Sequence, residues 1–201
     1  MPDNVTATDN SKPFTPHPDG QYAMVAVDVI NLGQRVEQYP GKPARIVDKV
    51  AVVFQSGEVN HETGRLHEVS PEFTLSMYET AKLRLFLESW KGKSYTEEEA
   101  KKGVALHRLV GWPALVSVEH KRSQKGRMYA TIKSISPLPK MMTAPVLPEY
   151  VRPDFWAERK DAYKAEADAW AALQLAKHPK TQPEDYPDQA PEDDDPDAPP
   201  F

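Results

Sequence analysis

Apolar and polar residues alternate as soon as the apolar part of the chain begins. Over residues 22–32, Val25, Val27 and Val29 recur at every second position, with Met24, Ala26 and Asp28 between them. A period of two predicts a strand, stopped by Gly33. Residues 34–43 are polar, with Gly41 and Pro43, and predict a loop. Residues 44–55 predict a second strand, apolar on both faces near its end as in a buried strand. Residues 56–70 are polar and predict a long hairpin connection. Phe73, Leu75 and Met77 alternate with Thr74 and Ser76, which predicts a third strand over 72–78. The period then changes. Leu83, Phe86, Leu87 and Trp90 share one face of a helix, with Gly92 as its stop. Thr96 with Glu99 three residues later is a capping box that starts a short helix ending at Gly103. Residues 114–120 and 128–138 predict two further strands. Residues 154–177 predict a helix in which Trp156, Tyr163 and Trp170 recur every seven positions, with Ala167 and Leu173 on the same side. That stripe is expected to pack on its own domain.

Three strands, a helical connection and two strands form the element order of an OB-fold. The expected fold is therefore mainly β, a five-stranded OB-like barrel with a helical connection between strands 3 and 4. The expected organisation is a disordered arm over 1–20, the barrel over 21–138, a Pro-rich linker over 139–153, an amphipathic helix over 154–178 and a disordered acidic tail over 179–201. The tail cannot bury enough apolar surface to fold alone.

Charge sharpens this picture. The chain has 201 residues and a net charge of −5, but residues 181–201 hold eight acids and no Lys or Arg. With those eight set aside, 22 acids face 25 bases, so the body is mildly basic. That asymmetry favours a polyanion ligand. There is no cysteine, hence no disulfide framework and no thiolate metal site. Residues 1–21 contain no leader-like apolar run, and no stretch has the length of a bilayer span, so a cytoplasmic protein with no membrane contact is expected.

No catalytic, cofactor or metal motif emerges. The six histidines lack metal-ligand spacing, and His61 and His67 sit where a solvated hairpin tip is expected. Gly92-Lys93-Ser94 ends like a phosphate loop, but Leu87 occupies the position of the required first glycine. Binding residues are easier to find. Single-strand binders combine a basic groove with aromatic platforms for bases. The loop after the first strand supplies Arg35, Tyr39, Lys42 and Arg45. The loop between the last two strands supplies Lys121, Arg122, Lys125 and Arg127, followed by Tyr129. In an OB-fold these two loops border the nucleic-acid face, and Lys49 and Lys133 lie on strands between them. Phe54, Phe73 and Trp112 are alternative stackers for which core packing is the expected role.

The tail residues Asp193, Asp194, Asp195 and Asp197, followed by Pro200 and Phe201, resemble the acidic tip of bacterial and phage single-stranded-DNA-binding proteins. Residues 106–140, including Val110-Gly111-Trp112-Pro113 and Ile135-Ser136-Pro137-Leu138-Pro139-Lys140, look like a family of small phage replication-accessory proteins. The resemblance implies a non-enzymatic, non-sequence-specific single-stranded-DNA binder in phage replication or recombination, acting in the host cytoplasm. It also implies a tail that recruits replication or recombination proteins and competes with DNA. Two departures stand out: prolines at both 199 and 200, and a helix in place of a long Gly/Gln-rich spacer. A rival function is a protein-interaction module without nucleic-acid binding that uses the Trp156/Tyr163/Trp170 stripe. Assembly into a homo-oligomer is left open.

Overall fold

The computed structural model describes residues 15–39, 41–123 and 126–177. Six antiparallel strands form one sheet. They are β1 (Gly20–Glu37), β2 (Arg45–Val59), β3 (Leu66–Val69), β4 (Glu72–Thr74), β5 (Pro113–Arg122) and β6 (Met128–Pro137). The order is β3-β2-β1-β5-β6, with β4 also paired to β2. Between β4 and β5 come α1 (Lys82–Lys91), α2 (Glu97–Lys102) and a 3-10 turn over Leu106–Leu109. Helix α3 (Phe155–Lys177) follows β6.

Two expectations are corrected. The sheet has six strands, and it is open. β6 pairs only with β5, while β3 and β4 pair only with β2, so no ladder closes a barrel. The extra strand β3 lies inside the expected hairpin connection. It was hidden because two of its four residues, His67 and Glu68, are polar. The opposite sheet edge ends against α1. Gly92 has φ 70°, and a Cβ there would lie 2.8 Å from Pro137 Cγ. Only glycine fits both the left-handed turn and that approach. The Thr96–Glu99 capping box forms with both of its hydrogen bonds. Arg84, buried on α1, donates to Glu88 at 3.0 Å and to the Tyr95 carbonyl at 3.0 Å, which ties down the turn between α1 and α2.

The sheet has two covered faces. On the inner face, Met24, Ala26, Val52, Phe54 and Val116 pack with Leu83, Leu87 and Trp90 of α1. On the outer face, Ile30, Leu32, Ala51 and Val53 receive Trp156 of α3, which is 1% exposed. Strand β1 serves both faces because its register with β2 shifts between Ala26 and Asp28, and again between Asn31 and Gly33. Each bulge adds one residue and reverses which side chains point inward.

Residues 15–19 pack against the sheet, and His17 is buried. Its Nδ1 donates to the Pro18 carbonyl at 2.8 Å, so Nε2 accepts from Ser56 Oγ at 2.7 Å. His120 Nε2 donates to the His17 carbonyl at 2.8 Å. Burial holds the His17 and His67 imidazoles below their ordinary value of 6.5. The unfolded chain therefore binds more protons than the folded one below about pH 6.5. Stability should be full above that pH and fall as pH drops through the depressed values. A urea midpoint clearly lower at about pH 5.5 than at about pH 7.5 is expected, and a smaller gap in His17→Asn. Equal midpoints in the parent chain would contradict this role.

Candidate nucleic-acid interface

The expected binding residues fall into three groups. The first is a cleft of about 710 Å³ at the end of β1, lined by Tyr39, Lys42, Arg45 and Lys49 with Tyr78 and Lys82. It forms because β1 runs on to Glu37, beyond the expected loop start, and β2 begins at Arg45. β4 then pairs Thr74 with Lys49 and leads into Tyr78 at the start of α1. Lys42, Arg45 and Lys82 are exposed. Tyr39 is 46% and Tyr78 73% exposed, so both rings are free to stack on a ligand. Tyr78 ends the segment 72–78 expected as a strand, and Lys82 precedes the helical stripe that begins at Leu83, so neither stands in a loop next to other cations in the sequence. Their proximity to the β1–β2 loop depends on the β2–β4 pairing.

Two expected contacts are used internally instead. Lys49 is buried and pairs with Glu37 at 2.7 Å. Burial pushes the Glu37 carboxyl up, but hydrogen bonds from Lys49, Tyr39 and Thr74 outweigh it and hold the group below its ordinary value. Lys49 thus neutralises a half-buried carboxylate and has no charge left over for a phosphate. Arg35 turns towards α3. Its guanidinium sits 4.7 Å from the Tyr163 ring centroid, and its Nε lies 3.9 Å from Glu166. Tyr163 Oη donates to Glu72 at 2.8 Å.

The second group is the β5–β6 hairpin. Lys121, Arg122, Arg127, Tyr129 and Lys133 are exposed there. Tyr129 stands opposite Lys121, which pairs with Glu119 at 2.8 Å. The register skips Lys133, the bulge residue of β6. This hairpin projects beyond Gly20, whereas the cleft lies at Glu37. The two cationic groups therefore sit at opposite ends of the 18-residue strand β1. At about 3.3 Å per residue, that is on the order of 55 Å if the strand were straight. Helix α3 packs on the part of β1 from Ile30 to Arg35.

The third group, Lys125 and the tail residues Asp193, Asp194, Asp195, Asp197, Pro200 and Phe201, lies outside the described residues. Of the alternative stackers, Phe54 and Phe73 are buried as expected. Trp112 is not: it is 52% exposed, at the mouth of an apolar groove of about 530 Å³ with Leu87, Trp90, Val104 and Leu109. Among the described residues, no group of three or more His, Cys, Asp or Glu side chains could hold a metal ion. No described helix is long and apolar enough to cross a membrane. Neither a protein-family model nor a curated protein matches the chain.

Proposed function

We propose that this chain binds single-stranded DNA without sequence readout of the strand as a whole, and without a chemical step. The carrying observation is the cleft in which Lys42, Arg45 and Lys82 converge on Tyr39 and Tyr78. Cations would neutralise phosphates and release counterions, while the two rings stack bases. The β5–β6 hairpin offers a second cationic contact for a strand long enough to reach it. The strand order supports the OB-like reading, with β5 and β6 as its fourth and fifth strands and the closing pair left unformed. The acidic tail would compete for the cleft and recruit replication or recombination proteins.

Of the stripe that the rival would use, Trp156 is buried against the sheet, while Tyr163 and Trp170 are half-buried. The groove beneath Trp112, rimmed by Lys91, Lys102 and Arg108, also suits a protein partner. Tyr78 separates the two functions. Its ring is largely exposed and its removal costs the fold little, so Tyr78→Ala should leave the melting temperature unchanged. The same variant should weaken oligo-dT binding by about 5- to 100-fold, the range for one lost base stack. Unchanged oligo-dT affinity in Tyr78→Ala would remove the cleft from the account.

A further inference from the structure

The groove beneath Trp112 opens between α1, α2 and the turn over Leu106–Leu109. Its floor is apolar: Leu87, Trp90 and Leu109 are buried there. Trp90 Nε1 already donates to the Pro113 carbonyl at 3.0 Å. Trp112 is fixed in place by its backbone. Its N–H donates to the Leu109 carbonyl at 3.0 Å, and its own carbonyl accepts from Ala26 N–H of β1 at 3.1 Å. The ring still stands 52% exposed, beside Val110 at 45%. An apolar patch held open over an apolar floor marks a surface that a partner covers.

The rim says which partner. Lys91, Lys102 and Arg108 are exposed around the groove, and Glu99 is the only carboxylate that lines it. Glu99 is engaged locally: Oε2 accepts from Thr96 N–H at 3.0 Å, and Oε1 lies 3.7 Å from Lys91 Nζ. Lys102 and Arg108 make no ion pair among the described residues. The groove therefore suits an apolar side chain flanked by negative charge.

The chain carries such a segment itself. Of its two ends outside the described residues, 1–14 holds two acids and one lysine, while 178–201 holds eight acids and one lysine. Asp193, Asp194, Asp195 and Asp197 stand four to eight positions before Phe201, and Pro199 and Pro200 restrict the backbone between them. That restriction lowers the entropy cost of docking. Reach is not limiting. Helix α3 is tied to Arg35 through Glu166. Arg35 lies nine residues of β1 from Ala26, about 30 Å. The remaining 11 residues of α3 add at most about 17 Å. The 24 residues after Lys177 can span up to about 80 Å.

We infer that residues 193–201 dock in the groove beneath Trp112 of the same chain. Phe201 fills the apolar floor, and the aspartates lie against Lys102 and Arg108. The groove shares no lining residue with the Tyr39–Tyr78 cleft, so this docking is a different event from competition with DNA and needs no nucleic acid.

The test is two-dimensional NMR of the full chain without DNA. Phe201→Ala should shift the Trp112 indole N–H and the amides of Val104 and Arg108, and leave those of Lys42 and Arg45 in place. A synthetic peptide of residues 193–201, added to the Phe201→Ala chain, should restore the parent positions. Lys102→Glu combined with Arg108→Glu, both at exposed sites, should weaken that peptide at least about fivefold, the loss of roughly one ion pair. Trp112→Ala should weaken it as well. Unmoved groove signals in Phe201→Ala would overturn the inference, as would shifts confined to Lys42 and Arg45, which would place the tail in the cleft. Shifts that vanish on dilution would assign the groove to the tail of a second copy and overturn docking within one chain. Oligo-dT that binds the groove of the parent chain and displaces the segment would make the groove a nucleic-acid contact instead. Failure of any of these arms leaves the Tyr39–Tyr78 cleft to stand or fall by its own DNA titration.

Discussion

Trp156→Ala should cost about 3–5 kcal/mol of stability, the usual result of emptying a large buried aromatic site. Trp156 is the main apolar anchor of α3 on the outer sheet face and fills the space between Ile30, Leu32, Ala51 and Val53. The other attachments are polar and more exposed. Arg159 pairs with Glu72 at 2.5 Å, and Tyr163 bonds the same carboxylate. Exposed pairs contribute about 0–1 kcal/mol each, too little to hold the helix once the indole is gone. Trp156→Phe should cost far less. It keeps most of the ring volume and removes an indole N–H that has no partner. Urea denaturation of the two variants is the check. A loss below about 1 kcal/mol in Trp156→Ala would mean that α3 is not docked by this residue.

The second large effect concerns binding. Combining Lys42→Glu, Arg45→Ser and Lys82→Glu should weaken single-stranded DNA binding by about 100-fold or more at low salt. Each lost phosphate contact removes roughly 0.7 from the slope of log K against log salt, so the slope should flatten by about 2. The substitutions are chosen to spare the fold. Arg45 stands opposite Glu37 across β1 and β2, where a second carboxylate would be repelled; serine avoids that. Glu at position 82 enters the first turn of α1, a favourable place for negative charge. A melting temperature near that of the parent chain, with unchanged DNA affinity, would mean that these cations are only a solvated rim.

How much of this could be read in the sequence depended on local regularity. The Thr96–Glu99 box, the Gly92 stop and the apolar face of α1 were legible because each is set within one or two turns. The length of β1 was not. Alternation over 22–32 puts Val25, Val27 and Val29 on one face. The bulge after Ala26 instead sends Val29 to the inner core while Val27 packs outside. Bulges are tertiary events with no period of their own, so alternation misplaces every residue beyond them. Barrel closure was illegible for a related reason: it depends on whether two distant edges meet.

The candidate site was half legible. Tyr39, Lys42 and Arg45 were found from loop composition and do converge. Lys49 carried a signal against phosphate binding, since its face neighbours Val47, Ala51 and Val53 are all apolar. A lysine on such a face needs an internal carboxylate, and Glu37 supplies it. Arg35 could not be judged without knowing that Tyr163, 128 residues later, would lie beneath its guanidinium. Tyr78 and Lys82 join the cleft only through strand pairing.

The measurement that bears most directly on the central claim is a titration of the parent chain with poly-dT at several salt concentrations, read by tryptophan and tyrosine fluorescence. Three cleft cations with a further contribution from the β5–β6 hairpin predict saturable quenching and a log K–log salt slope of about −2 or steeper. Duplex DNA should bind more weakly, since its bases are not free to stack. No quenching at low salt, or an affinity independent of salt, would contradict the account.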